Sequence, residues 1–561
     1  MMTFPRQPES IQSHLKISPE VQRLLELGND SLDGEMVEAI LDQAVRFSSE
    51  ILTPFDAVSD KVGASFEGGR VTLAPGHDAA WLMFREAGWL GLEMDPDFGG
   101  QGLAKPLAAG VTEIMERGSV AFGMLAGSIR GASRLLALHA PETTKEEWLP
   151  RLLSGEWGAT ICISEPDAGS DVGRIRTRAV ARGASWEITG EKIWISYGDN
   201  PLVTRNGHLV LARIEGALPG TRGLSLFLVP SGSAPREENG VTCRRIEEKM
   251  GLHGSPTCSI GFEKSLGTLI GQEGRGLPTL FAMITGMRLQ VGAQGLGLAS
   301  AMLETAVGYA AERKQGGPAD KPPVPINQHA DVRLMLLNMA TNVETFRGVV
   351  TAAASFAELA EKEDSEEARA RAAALVRFLL PVVKNGGAEL AWNVGSLALL
   401  VLGGAGYTQE WPVERWLRDC RVLAVFEGTT GMQGQDLTLR RMLADDEGLK
   451  HFCALFESEL SSGQAPAPPW AEEALQLMRE ASRWVRESSR TQCELEAAAT
   501  IFLRFTTIVL QTWSAARLVN SGSEQLAAIG AAWGQDVIHD ARALLERAMV
   551  SAGRLIALAK D

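Results

Sequence analysis

Two stretches mark the point at which the periodicity of the chain changes: Ile161–Asp171, ICISEPDAGSD, and Trp186–Ser196, WEITGEKIWIS. The first joins a short apolar run to small residues, hydroxyls and a proline, which is typical of a turn with exposed backbone donors. The second mixes β-branched, aromatic and polar side chains with a period of two, as a half-buried strand does. A β-domain is therefore predicted to begin here.

Strand signals continue from about residue 158 to residue 271, in the runs TRAVARG, HLVLARIEG, GLSLFLVP and SIGFEK, which Gly, Pro and Asn turns separate. Before this region, EMVEAILDQAVRFSSEIL and AAWLMFREAGWLGL repeat apolar residues at helical spacing. After it, the chain returns to Ala- and Leu-rich helical patterns such as RLQVGAQGLGLASAMLETAVGYAAERK. The pattern predicts a small antiparallel β-domain between two helical regions.

The 561 residues exceed the common domain size of roughly 100 to 150 residues, so several domains are expected. We predict an α+β fold in four segments. These are an N-terminal α-helical domain (residues 1–157), a middle β-barrel-like domain (158–276), a four-helix bundle (277–445) and an extra C-terminal helical domain (446–561). The run SSGQAPAPP at residues 461–469 is interpreted as a linker within the last segment.

The charge balance disfavours nucleic acid as a partner. Lys and Arg number 54 against 69 Asp and Glu, a net charge of -15, and acidic side chains also outnumber basic ones after Glu447. The six cysteines are scattered without a CxxC pair, which favours reduced thiols in a cytoplasm. The first residues, MMTFPRQPESIQSHLK, lack the apolar core of a secretory signal. We therefore expect a cytoplasmic protein, and no integral membrane segment, because no apolar run approaches the roughly 20 residues of a span.

Several catalytic motifs are absent from the sequence: HExxH, GxSxG, a P-loop, and GxGxxG after a strand. The eight His residues are isolated from one another, so they are interpreted as structural and no metal site is expected. The chemistry is instead sought at Ile161–Asp171, whose backbone donors suit a polar cofactor. Nearby, Trp194 offers a flat face and Ser196 a hydroxyl for a ring heteroatom. From the residues alone, a tryptophan in this setting is more often a core residue than a platform for a cofactor, so a core role for Trp194 is the favoured alternative.

These two stretches together resemble the flavin-binding segments of acyl-CoA dehydrogenases. The resemblance continues, in order, through MGLHGSPT (250–257), GMR (286–288), YAAERKQ (309–315), LGGAGY (402–407) and FEGTTG (426–431), and spans roughly residues 40–445. The runs EKMGLHGSPTC and TQEWPVERWLRDC are similar to the long branch that includes methylthiopropanoyl-CoA dehydrogenases. That branch carries an extra C-terminal helical domain, as we predict here.

The resemblance implies an FAD-dependent oxidoreductase that converts an acyl-CoA to a trans-2-enoyl-CoA. Glu427 matches the base that removes the α-proton while a hydride leaves the β-carbon for flavin N5. Such a base requires desolvation to raise its basicity, and the enolate-like charge requires donors, here the Glu427 N–H and a ribityl hydroxyl of FAD. The alternative role for Glu427 is a carboxylate that complements a helix N-terminus.

The resemblance also assigns the binding residues. FAD would contact Ile161, Ile163, Ser164, Gly169, Ser170, Trp194, Ile195, Ser196, Arg313, Gln315, Gly403, Gly404, Thr429 and Gly431. The substrate would contact Ser170, Arg288, Glu427 and Gly428.

Several of these assignments have a further consequence or an alternative role. Arg313 and Gln315 match residues that reach the FAD of a neighbouring subunit, which implies a homo-oligomer, a dimer or tetramer. Arg313 is alternatively one charge of a helix end, and Arg288 a bundle salt bridge. The sequence departs from the family at Gly431, where many members have a hydrogen-bonding side chain, and at Leu400, where many have Gln.

Three other functions stay open at this stage: an acyl-CoA oxidase, an alkylation-response-type flavoprotein associated with DNA, and a non-catalytic scaffold. The mildly acidic C-terminal region argues against the second, and the joint presence of Glu427, Trp194 and Arg313 against the third. By resemblance, the electron acceptor is an electron-transfer flavoprotein and the setting is lipid metabolism, in fatty acid β-oxidation. The acyl chain length is not set by the sequence, since it depends on the depth of an apolar pocket.

Overall fold

A computed structural model of the chain describes residues 4–232, 239–462 and 467–558. Positions 463–466 of the linker predicted at 461–469 lie outside the described residues. The chain forms two compact units that do not follow chain order. The helical unit comprises residues 4–45, Ala104–Arg117 and the chain from Arg288 onward, and the sheet unit comprises Arg46–Leu103 and Gly118–Met287. The boundaries of the four predicted domains stay a prediction.

The α-helices are α1 (Gln7–Ile17), α2 (Pro19–Glu26), α3 (Gly34–Phe47), α4 (Thr53–Val62), α5 (His77–Glu86), α6 (Lys105–Gly118), α7 (Val120–His139), α8 (Glu142–Leu153), α9 (Gly276–Glu312), α10 (Ala330–Lys362), α11 (Glu366–Leu402), α12 (Val413–Cys420), α13 (Thr430–Gln435), α14 (Glu447–Ser462), α15 (Pro469–Val485), α16 (Gln492–Val519) and α17 (Glu524–Leu558). Two π-helical turns occur at Ser48–Leu52 and Asp436–Ala444.

The strands are β1 (Ser65–Glu67), β2 (Arg70–Thr72), β3 (Trp157–Cys162), β4 (Arg178–Arg182), β5 (Ser185–Ser196), β6 (Arg205–Ile214), β7 (Leu224–Gly232), β8 (Val241–Ile246) and β9 (Thr257–Ile270). The hairpin β1–β2 is not foreseen by the sequence analysis. Its turn residues Gly68 and Gly69 both have positive φ, 58° and 81°, which only glycine adopts without strain and which suits a tight two-residue hairpin turn.

The larger sheet follows the order β3-β6-β4-β5-β9-β7, and an additional pairing of β6 with β7 closes the strands from β6 to β7 into a ring. Most pairs are antiparallel, as predicted, but β3 and β4 each run parallel to β6. The parallel pairs arise because residues 197–204 separate β5 from β6, which pairs with β3, β4 and β7 and not with its predecessor in the chain. Side chains such as Val210, Phe227 and Phe262 belong to the buried hydrophobic core of this sheet.

In the helical unit, α10 and α11 pack side by side, and α1, α2 and α16 also contact α10. The C-terminal helices are joined to this centre by polar contacts: Gln511 Nε2 donates to Thr345 Oγ1 at 3.0 Å, and Arg517 pairs with both Glu20 and Glu459 at 2.6 Å. The extra C-terminal helices therefore belong to the same compact unit as α10 and α11. The fold is the predicted one: helical N-terminal, middle β and C-terminal helical regions, with additional helices after them.

One segment, Glu366–Tyr407, contains an 18-residue window apolar enough to cross a membrane by length and composition, with 44% of that window buried inside the protein. The same test is passed by core helices. α11 contributes Phe378, Leu379 and Val383 to the packed interior of the helical unit and contains the fully buried Lys384. By these contacts α11 is a core helix of this unit.

Candidate active site

Glu427 stands on a strained turn between α12 and α13. Its φ is 52°, in the left-handed region that a residue with a Cβ seldom adopts, and Gly428 follows at φ 90°. Thr429 then caps α13, because its hydroxyl accepts a hydrogen bond from Met432 N. A backbone held in this conformation needs support from its surroundings.

Gln433 and Lys384 provide that support. Gln433 Nε2 donates to the Glu427 carbonyl at 2.8 Å, and Lys384 Nζ donates to the Gly428 carbonyl at 2.7 Å. Both side chains are fully buried. The two peptide groups that follow Glu427 are thus fixed from the buried side.

Burial and the nearby positive charges shift the pKa of Glu427 in opposite directions. Loss of water raises the pKa of its carboxyl, while the nearby cations Arg288 and Lys384 lower it, and the net direction is upward. A half-buried carboxylate with a raised pKa has the basicity expected of a general base. This environment distinguishes Glu427 from a solvated carboxylate at a helix N-terminus.

Arg288, on α9, donates to Asp436 Oδ2 at 2.7 Å, and Arg441 lies 3.3 Å from the other oxygen of Asp436. Arg288 is thus engaged in a salt bridge at the start of the π-helical turn that follows α13. This is the contact that the bundle interpretation of Arg288 expects. Its predicted contact with substrate stays a prediction.

In the sheet unit, the predicted cofactor loop is held by a buried ion pair. Lys192 Nζ lies 2.8 Å from Glu165 Oε1 and also donates to the Ile163 carbonyl at 2.9 Å. The Glu165 carboxylate accepts two further hydrogen bonds, from the backbone N–H groups of Arg176 and Thr177. Burial would raise the pKa of Glu165, but Lys192 and these donors outweigh it and lower that pKa. The loop after β3 is therefore fixed to β5.

β5 presents Trp194 next to this loop. The Ile193 N–H donates to the Ser164 carbonyl at 3.0 Å, and this hydrogen bond joins the loop to the strand directly before Trp194. Trp194 follows with φ 64° and an exposed fraction of 58%. The indole therefore lies on the surface of this unit and not in its core, which removes the alternative that it is a core residue. Ser196 is half-buried and Ile195 is buried in the same strand.

The remaining predicted FAD residues fall into three groups. Gly169 and Ser170 are exposed within the loop after β3, Ile161 is half-buried in β3, and Ile163 is half-buried at the start of the loop. Arg313 and Gln315 are exposed after the end of α9, in a segment that forms backbone hydrogen bonds with Val324 and Ile326. Gly403 and Gly404 are exposed where α11 ends, and Thr429 and Gly431 lie at α13.

The structure brings Glu427, Gly428, Thr429 and Gly431 together with Lys384 and Gln433, two residues that sequence reasoning missed. Lys192 and Glu165 were quoted in the motifs but received no role. A lysine within the apolar run LLPVVKNGGAEL of α11 is the available signal for Lys384, because lysine is seldom fully buried unless something compensates its charge. Among the described residues, no cluster of His, Cys, Asp and Glu side chains has the arrangement of a metal site.

Comparison with known proteins matches three family models along the chain: the acyl-CoA dehydrogenase N-terminal domain at residues 35–156, the middle domain at 160–265 and the C-terminal domain at 274–443. The chain is 37% identical over 467 residues to 3-methylmercaptopropionyl-CoA dehydrogenase of Ruegeria pomeroyi, covering 81% of this chain and 79% of the relative. It is 35% identical over 410 residues to a broad-specificity linear acyl-CoA dehydrogenase of Mycobacterium tuberculosis, covering 70% and 67%.

A solved acyl-CoA dehydrogenase from Bacillus anthracis, in complex with FAD, superimposes with a TM-score of 0.76 at 20% identity, over 92% of this chain and 88% of that chain. At this identity the likeness concerns the fold alone. Because it covers most of the chain, it includes part of the C-terminal helices that follow residue 443, where the family models end.

Proposed function

The chain belongs to the acyl-CoA dehydrogenase family, and from that premise we propose that Glu427 is the base that removes the α-proton of its acyl-CoA substrate. Members of the family are FAD-dependent oxidoreductases, so the protein is an enzyme that dehydrogenates an acyl-CoA. Neither an acyl-CoA oxidase nor a DNA-associated flavoprotein is favoured by the relatives, which are named as dehydrogenases.

The observation that carries the proposal is the placement of Glu427 within FEGTTG. Its side chain is half-buried, its pKa is raised by loss of water, and two buried side chains fix the backbone that follows it. An α-proton of a thioester is weakly acidic, so its removal needs a base of raised basicity and a donor for the thioester oxygen. No described residue accepts a hydrogen bond from the Glu427 N–H, which leaves that donor for the substrate.

The proposed reaction conserves atoms and charge. The Glu427 carboxylate takes the α-proton, the electrons of the broken C–H bond form the Cα=Cβ bond, and the β-hydrogen leaves with its electron pair. FAD held at this site would supply the acceptor for that hydride. The product is a trans-2-enoyl-CoA, and the protonated Glu427 must lose its proton before the next turnover.

The proposed FAD residues suit a large, flat and doubly charged group. Trp194 offers an exposed aromatic face, and Ser164 and Ser196 offer hydrogen-bonding groups on the neighbouring loop and strand. Gly169, Gly403 and Gly404 have open space where a side chain would stand, since no atom lies within 4 Å of a Cβ built at any of the three. Arg313 and Gln315 have exposed side chains that are proposed to reach the FAD pyrophosphate of a neighbouring copy, in a cytoplasmic homo-oligomer.

The names of the relatives supply the acyl groups with which the proposal is tested first. Their names state 3-methylmercaptopropionyl-CoA in one case and linear acyl-CoAs in the other. We propose a linear acyl-CoA, with or without a thioether in the chain, and an electron-transfer flavoprotein as the acceptor. We also propose that the reaction is a step of fatty acid β-oxidation.

The test is an anaerobic titration of the purified holoenzyme with butanoyl-, octanoyl-, hexadecanoyl- and 3-methylthiopropanoyl-CoA, followed by flavin absorbance. Bleaching by one of these classes, and loss of bleaching in Glu427→Gln with FAD still bound, is the expected result. A flavoprotein that none of the four bleaches, or a Glu427→Gln variant that is bleached at the normal rate, would contradict the proposal. Repeating the reaction in air with and without the flavoprotein acceptor distinguishes a dehydrogenase from an oxidase.

A further inference from the structure

Lys384 is a fully buried cation on α11 with an unusual set of partners. Its Nζ donates to the Gly428 carbonyl at 2.7 Å and lies 5.9 Å from the centre of the Phe426 ring. Phe426 and Gly428 are the two chain neighbours of Glu427. In the described part of the chain Lys384 forms no salt bridge, and the carboxylates of Glu427 and Glu389 act on it only through longer-range charge attraction. Burying an ammonium without a paired carboxylate is costly, so its position calls for an explanation beyond packing.

We propose that Lys384 is a positioning residue for the reaction at Glu427: its ammonium fixes the turn on which the base stands, and its charge favours the ionised form of that base. The inference rests on the proposed function of Glu427 and adds to it the group that keeps the base in place.

The backbone of the turn at Glu427 depends on its surroundings for support. Glu427 and Gly428 both have positive φ, and a non-glycine residue in that region is strained unless its surroundings stabilise it. Gln433 donates to the Glu427 carbonyl and Lys384 donates to the Gly428 carbonyl, so each side chain stabilises part of this turn. Because Lys384 comes from a long core helix and Gln433 from α13 itself, Lys384 fixes the turn to the rest of the helical unit.

The electrostatic part follows from the charges that face each group. Glu427 faces Arg288 and Lys384, and Lys384 faces Glu427, Arg288 and Glu389. Arg288 is already paired with Asp436 at 2.7 Å, and Arg441 contacts the same carboxylate. Lys384 therefore supplies the less compensated of the two positive charges near Glu427. Burial lowers the pKa of Lys384 to about 8, so this charge is present at neutral pH and declines above it.

The experiment uses the FAD holoenzyme with a 3-thia-acyl-CoA, whose α-proton is removable but whose β-position is a sulfur with no hydride to transfer. The enolate that forms beside oxidised flavin gives a long-wavelength charge-transfer band. This band reports proton removal without turnover, and its dependence on pH gives the apparent midpoint for ionisation of the base. We compare wild type with Lys384→Met, Gln433→Met and the matched control Lys105→Met.

In Lys384→Met, the midpoint is expected to rise by about one pH unit, so the band at a pH below the midpoint falls roughly tenfold. The difference from wild type narrows above pH 8, where Lys384 loses its own charge. Gln433→Met removes a neutral donor, so it lowers the amplitude and leaves the midpoint in place. Lys105 is also buried, paired with Glu358 at 3.1 Å, and its substitution lowers thermal stability without moving the midpoint.

Should Lys384→Met fail to fold with FAD, Lys384→Gln retains a donor without the charge and is expected to show the same rise in midpoint. A midpoint and amplitude equal to wild type in the folded Lys384 variant overturn this inference alone. A wild-type holoenzyme that forms no band with the analogue and is bleached by no acyl-CoA overturns the proposed function itself.

Discussion

Lys192 Nζ lies 2.8 Å from Glu165 Oε1, and both side chains are buried, Lys192 completely. The pair joins β5 to the loop that follows β3, the loop proposed to receive the flavin. Burial lowers the pKa of Lys192, although Glu165 opposes that effect. A buried lysine thus holds this loop in the sheet unit, as Lys384 holds the turn at Glu427 in the helical unit.

Lys192→Met is expected to cost about 3–5 kcal/mol of unfolding free energy, because it leaves the Glu165 carboxylate buried without its cation. Adding Glu165→Gln to Lys192→Met should recover part of that loss, since the second substitution removes the uncompensated charge. Urea unfolding of the holoenzyme measures both changes in stability. The affinity for FAD should also fall, because the loop after β3 loses the ion pair that holds it. A single Lys192→Met variant as stable as wild type would show that the pair does not hold the loop.

Glu427→Gln is expected to retain FAD and to lower the rate of flavin reduction by a factor of roughly 10² to 10⁴, the range usual for a general base. Glu427→Asp keeps the carboxylate but shortens its reach, and a misplacement of about 1 Å costs about 10²-fold. Because the pKa of Glu427 is raised, the wild-type rate of flavin reduction falls as the pH falls through that pKa. The Glu427→Gln variant is expected to lack this pH dependence. Stopped-flow measurement of flavin reduction between pH 5 and pH 9 gives both the order of the rates of the three proteins and their pH dependence.

Trp194→Ala should weaken FAD binding on the order of 3- to 10-fold while leaving the stability of the apoprotein nearly unchanged. The reason is that Trp194 is 58% exposed, so its removal creates no cavity, but its aromatic face is lost to the flavin. Trp186 is the control, since it packs on Phe227 with ring centres 5.4 Å apart. Trp186→Ala should show the opposite pattern, lower stability with FAD affinity retained. Equal FAD affinity in Trp194→Ala and wild type would remove Trp194 from the cofactor site.

Gly434→Val should destabilise the protein by about 1–3 kcal/mol through overpacking. A Cβ built at Gly434 meets the backbone of Ala499 at 2.8 Å, so α13 cannot keep its contact with α16. Since α13 begins three residues after Glu427, the rate of flavin reduction should fall as well. Gly308→Ala is the control: a Cβ there has open space, and alanine in the interior of α9 should raise stability by up to about 1 kcal/mol. Thermal unfolding of the two variants gives the comparison.

Glu344 gives a prediction for acid stability. Burial alone would raise its pKa, but Arg347 and His14 outweigh burial and lower that pKa to about 2. A carboxyl whose pKa is lower in the folded state stabilises the protein above its ordinary pKa and loses that contribution as pH falls towards the folded value. The contribution is worth roughly 3 kcal/mol. The stability difference between wild type and Glu344→Gln should therefore shrink between pH 5 and pH 2.5, and a constant difference in urea midpoints over this range would contradict the assignment.

Much of the fold was accessible from local patterns. The change from helical spacing to a period of two locates the strands, and glycine and proline positions indicate where elements end. The parallel pairing of β3 and β4 with β6 was not accessible, because pairing partners are set by how the chain crosses between strands. The association of α1 and α2 with α10 and the C-terminal helices was not accessible either, since an apolar helix face does not specify its partner.

At the candidate site, the sequence by itself determined the chemistry-bearing residue types and their local setting: Glu427 in FEGTTG, Trp194 in a strand, and glycines at turns that leave open space. Only the tertiary structure decided that Lys384 reaches the Gly428 carbonyl and that Lys192 reaches Glu165. Each contact joins residues far apart in the chain, where spacing carries no signal. The free energy of burying an ammonium depends on the acceptors that the fold places around it, and those acceptors exist as a set only once the chain is folded.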